Sequence, residues 1–145
     1  MPFPNHFHPS RNYQCHAPSR NRVGYGVMVL LVVVAGLLWR SPLMPLSPFL
    51  SKYGGDALWA IMVFCGMGCV FPGLSTQSLA LLALGSSCAV EFSKLYHAPW
   101  IDAARSTLPG RLILGISFHW PNLAAYALGI ALGATVEHLC RKARN

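Results

Sequence analysis

Four apolar runs, divided by prolines, glycines and isolated charges, decide most of what this chain can become. They cover residues 23–39, 56–71, about 78–95 and about 120–139. Each approaches the roughly 17–25 residues that a helix needs to cross a bilayer, the second being the shortest. No run carries a polar stripe at 3.6-residue spacing, which argues against buried helices of a soluble bundle. Charged residues make up 10 % of the chain and hydrophobic residues 54 %, whereas a soluble domain is roughly 25 % charged. Such a chain cannot clothe itself in a polar surface. The expected fold is all-α, an integral membrane four-helix bundle. Its domain spans residues 23–139, after a disordered tail over 1–22 and before a basic end over 140–145.

The tail is rich in Pro, Asn, His and Arg and has no apolar periodicity, as in segments unable to build a core. His6, His8, Cys15 and His16 are metal-ligand types, but in a floppy segment they make a weak signal. Cys65 and Cys69 share a helix face with no third ligand beside them, so they read as small packing residues. No metal or cofactor is expected. The apolar run begins too late for a cleavable signal peptide.

The formal net charge of +7 does not point to nucleic acid, because Lys and Arg sit at the ends of apolar runs, where topology-setting residues belong. Four spans place Arg11, Arg20, Arg22, Arg141, Lys142 and Arg144 on one side, and Arg40, Lys52, Lys94, Arg105 and Arg111 on the other. The clusters at both chain ends lie beside the bilayer, and Asp56 and Asp102 lie opposite them, so both termini are expected in the cytoplasm. On the outer side Trp39, Tyr53, Trp59, Tyr96, Trp100 and Trp120 form an aromatic belt. Pro42, Pro45 and Pro48 would share one edge of a polyproline strap there. Gly129 and Gly133 permit close helix approach. The favoured use is within the bundle; the alternative is a homo-oligomer.

The chemistry gathers at the same outer rim. Glu91 lies in the last turns of the third run, where a carboxylate is costly to insert and needs a partner. Lys94, His97, Asp102 and Arg105 follow it, and Arg105, with its planar fork, is the expected partner. Asp56 opens the second run, and reads equally as an N-cap after Gly54-Gly55, paired with Lys52. Asn122 and Tyr126 open the fourth run and are expected to face Glu91, since a polar amide entering a lipid-facing helix needs a protein partner. Together these residues form a candidate pocket for a polar or anionic headgroup.

Three segments also carry a resemblance: Tyr53-Gly-Gly-Asp-Ala-Leu-Trp-Ala60, Val90-Glu-Phe-Ser-Lys-Leu-Tyr-His-Ala-Pro-Trp-Ile-Asp102 and Gly115-Ile-Ser-Phe-His-Trp-Pro-Asn-Leu-Ala-Ala-Tyr-Ala-Leu-Gly129. Over residues 23–133 the chain resembles an uncharacterised bacterial membrane family, domain of unknown function 2809. The Tyr-His-Ala-Pro-Trp segment is its most specific part. More distantly the chain is similar to VanZ-like membrane proteins, whose pattern maps onto Asp56, Glu91, Lys94, Pro99, Arg105 and Asn122. It departs from that pattern where Lys94 replaces a usual Gln and Asn122 a usual Asp. The resemblance implies a bacterial inner-membrane protein with a role at the envelope.

No nucleophile–base motif, metalloprotease signature or phosphate loop is present. The leading expectation is therefore a non-enzymatic membrane protein that binds an envelope lipid or glycolipid headgroup. The alternatives are a membrane-embedded enzyme, with Glu91 or Asp56 as base and Arg105 as anion clamp, and a small transporter or accessory subunit. A transporter would want charge deep in several spans, whereas here it collects at one rim.

Overall fold

The computed structural model describes residues 20–115 and 117–143. Those residues form six helices, α1 (Arg22–Trp39), α2 (Pro48–Val70), α3 (Thr76–Ser93), α4 (Pro99–Ser106), α5 (Leu108–Leu114) and α6 (Trp120–Lys142), and no strand. Each long helix starts where its sequence supplies a start signal. Asn21 accepts from the Val23 and Gly24 amides, Ser47 from Leu50, and Ser75 from Ser78, which satisfies otherwise orphaned N–H groups. Pro48, Pro99 and Pro121 fall in first turns, where a missing N–H costs nothing. Gly115 ends α5 at φ 68°, a left-handed conformation that side chains resist.

The helices α1, α2, α3 and α6 alternate in direction. Arg20, just before α1, bonds to carbonyls in the α2–α3 turn, while Arg40, at the other end of α1, reaches Asp56 near the start of α2. Thr76 at the start of α3 meets Glu137 near the end of α6, and Glu91 near the end of α3 meets Asn122 at the start of α6. The core is built on α2, α3 and α6, with Ala60, Phe64, Leu79, Ala83, Tyr126 and Ile130 buried together. Cys65 belongs to the same core. Helix α1 packs along α2 only and buries none of its own residues. The arrangement is thus a three-helix core with α1 laid on its flank.

Among the described residues, α1, α2 and α6 are long and apolar enough to cross a membrane. That is one fewer than the four expected, because α3 falls short by composition. It is an 18-residue helix, but Thr76, Gln77, four serines and Glu91 dilute its apolar content. Two further expectations give way. Residues 42–48 do not form a polyproline strap, since the Met44 amide bonds to Ser41 O and Leu46 to Met44 O, and polyproline II has no internal hydrogen bonds. The second helix begins at Pro48, so Asp56 lies two turns inside it and is not an N-cap. Arg20 is buried; the tail before it, with its His and Cys residues, lies outside the described residues.

Glycine decides how closely α2 and α6 approach. A Cβ on Gly129 would collide with the Ala57 carbonyl, and one on Gly133 would stand 3.2 Å from Phe64. Both glycines are occupied within the chain. Gly129→Ala is expected to destabilise the protein in detergent by about 1–3 kcal/mol through overpacking. Gly85→Ala, whose Cβ would meet nothing within 4 Å, should be neutral or slightly stabilising. Equal melting temperatures for the two variants would contradict this account of the α2–α6 contact.

Candidate functional site

Glu91 is the centre of the polar end. It lies one turn from the end of α3, and none of its surface reaches solvent. A carboxylate so placed must be surrounded by donors, and four donors surround it. Lys94 Nζ lies 2.5 Å from Oε2 and the Tyr126 hydroxyl donates to the same oxygen at 2.7 Å. The His119 amide donates to Oε1 at 2.9 Å and Asn122 Nδ2 at 3.3 Å. Each has a local cause. Lys94 follows at i+3 on the same helix face. Asn122 and Tyr126 are one turn apart on α6, and the Trp59 ring, 5.3 Å from that of Tyr126, holds the phenol against the core. Lys94 in turn lies over Gly115, where a Cβ would come within 2.7 Å of Lys94 Cε.

Arg105 is not the partner of Glu91. Its Nη2 donates to Ser93 O at 2.6 Å and its Nη1 to Tyr96 O at 2.9 Å. These carbonyls belong to the end of α3 and the turn beyond it, groups that a terminating helix leaves unsatisfied. A buried guanidinium also suits the negative end of the helix dipole. The planar fork thus serves backbone oxygens, with Asp102 a further acceptor at 3.4 Å. Asp102 and His97 face solvent, their side chains 47 % and 67 % exposed and 3.4 Å apart. Neither joins Glu91.

Beside this network lies an open cleft of about 640 Å³, lined by Arg40, Ser51, Lys52, Asp56, Arg111 and His119, with Asn122 at its base. Asp56 receives Arg40 Nη2 on Oδ1 at 2.6 Å. Its Oδ2 and the Oδ1 of Asn122 are buried and accept no hydrogen bond from the described residues. Lys52 and Arg111 form no ion pair among the described residues. The cleft therefore offers cations for an anion, and two of the residues that line it, Asp56 and Asn122, each carry a buried oxygen without a donor. Of the residues singled out in the sequence, Glu91, Lys94, Asn122 and Tyr126 come together and Asp56 stands in the adjoining cleft. His97, Asp102 and Arg105 lie apart, over the end of α3.

Sequence reasoning placed Arg40 and Arg111 on this side but missed them, and His119, as members of the site. It also missed a second buried polar centre at the opposite end. There Glu137 Oε1 accepts from Arg20 Nη2 at 2.6 Å, Arg20 Nε at 3.0 Å, Thr76 at 2.9 Å and Arg141 at 3.2 Å. A signal for Glu137 was present. Asn122, Tyr126, Gly129, Gly133 and Glu137 recur every three or four residues and mark one face of α6.

No solved structure matches the chain. A family model does match residues 45–130, a stretch that runs from the turn before α2 into α6 and contains Asp56 and the whole Glu91 network. The chain belongs to the family described as a protein of unknown function (DUF2809).

Proposed function

We propose that this is a multi-pass membrane protein that binds the anionic headgroup of an envelope lipid or glycolipid in the cleft beside Glu91. In this reading α1, α2, α3 and α6 all cross the bilayer. Their alternating direction supports α3 as a fourth pass, despite its weaker hydropathy. Its polar positions are then tolerable because Glu91 and Ser87 are buried in protein. The end with Arg20, Arg141 and Lys142 faces the cytoplasm of a bacterial cell, and the cleft faces outward.

One observation carries the ligand. Lys52 and Arg111, free of ion pairs among the described residues, line the same cleft as Asp56 and Asn122, whose Oδ2 and Oδ1 lack donors. A phosphate bearing a hydroxylated or amino substituent complements both halves. Glu91 itself serves as scaffold, since donors already occupy both its oxygens. That saturation disfavours the reading in which Glu91 is a general base.

The test is lipid binding by the purified full chain, read by native mass spectrometry and thermal shift. Phosphatidylglycerol is expected to bind in preference to phosphatidylcholine. Neutralising two juxtamembrane cations is worth about 2 kcal/mol, roughly thirtyfold in affinity. Lys52→Gln with Arg111→Gln should lose about that much while leaving the fold intact. Indifference of binding to headgroup charge would overturn the proposal.

A further inference from the structure

A second cavity, of about 240 Å³, runs between α1, α2 and α5. Its walls are apolar, with Val32, Val33, Leu58, Met62, Leu112 and Ile113 around it and Gly36 and Trp59 beside them. Arg40 lines both this groove and the polar cleft. Gly55 makes the junction possible, because a Cβ there would collide with Arg40 Nε. The guanidinium lies against α2 at this glycine. Only Nη2 is committed, to Asp56, and the side chain remains nearly half exposed.

We infer that the groove seats one acyl chain of the same anionic lipid whose head occupies the cleft, with Arg40 at the boundary between head and chain. The inference rests on the headgroup reading and adds the hydrophobic half of the ligand. Two observations select this occupant over a partner helix or a soluble anion. The groove adjoins a cationic cleft through a shared residue, and an amphiphile is the chemistry that matches a polar chamber beside an apolar one. The two chambers together are of ligand-pocket size, about 300–1,000 Å³. Leu112 and Ile113 of α5 supply the outer wall, so the short helices after α3 would bound the chain as well as the head.

Trp59 provides the readout. The full chain is reconstituted in phosphatidylcholine nanodiscs containing a small fraction of phosphatidylglycerol brominated on its acyl chains, and tryptophan fluorescence is measured. The Trp59 component is the part of the quenching lost in Trp59→Phe. Brominated phosphatidylglycerol is expected to quench it at least about threefold more than brominated phosphatidylcholine at equal mole fraction. Gly36→Leu should fill the groove and remove that excess, while dihexanoyl phosphatidylglycerol still binds the cleft by thermal shift. Leu112→Trp, which blocks the groove from α5 without touching the α1–α2 contact, should do the same. Equal quenching by the two lipids means ordinary annular contact and overturns the inference while leaving the headgroup reading intact. Failure of dihexanoyl phosphatidylglycerol to shift the unmodified protein overturns the headgroup reading itself, and the inference with it.

Discussion

Glu91→Ala is expected to destabilise the protein in detergent by about 3–5 kcal/mol, the usual cost of removing one partner of a buried ion pair. The change strands Lys94, which is itself buried, and leaves the Tyr126 hydroxyl and His119 amide without their acceptor. Lys94→Met should cost less, because Glu91 keeps three donors. The double variant Glu91→Ala with Lys94→Met removes both charges, and should be more stable than the sum of the single effects implies. Unfolding curves for the four proteins give the coupling directly. A coupling within error of zero would show that the 2.5 Å pair adds nothing to the fold.

At the opposite end, Glu137→Ala is expected to cost about 3 kcal/mol, the lower end of the same range. Arg20 retains two carbonyl acceptors, Pro72 O and Leu74 O, when the carboxylate is lost. Arg20→Lys should not rescue the site, since an ammonium cannot reproduce two donors to Glu137 and further donors to the turn. The local consequence is as informative as the global one. With Glu137 gone, the segment around Arg20 and Arg22 should become a trypsin target under conditions where the parent is intact. Unchanged cleavage and unchanged stability together would refute this role for Glu137.

These two sites show what the sequence made legible and what it hid. Asn122 and Tyr126 could be placed beside Glu91 because polar groups in apolar helices have few places to go. Arg105 was assigned to the wrong acceptor, because backbone carbonyls at a helix end carry no residue-specific signature. Gly54-Gly55 read as a turn that starts a helix, yet both lie inside α2. Their missing side chains make room for Trp39 and Arg40 of α1: a Cβ on Gly54 would stand 2.6 Å from the Trp39 indole nitrogen. A glycine pair that breaks a chain and one that admits a neighbour look alike until the neighbour is known. Arg20 was hidden for a related reason. A basic residue at the end of a polar tail resembles a topology signal, and its buried acceptor lies 117 residues away.

The donors around Glu91 differ greatly in how far along the chain they lie. Lys94 is three residues away, whereas the His119, Asn122 and Tyr126 groups are 28, 31 and 35 residues away. A chain synthesised from its N-terminus makes α3 before α6 exists. During that interval the carboxylate has one counter-charge available, supplied by its own helix. On the four-pass reading proposed above, the i, i+3 pair would let α3 enter the bilayer as a neutral unit, and the α6 donors would complete the shell around the carboxylate when they arrive. Lys94 would then matter first during insertion, before any other donor is in place.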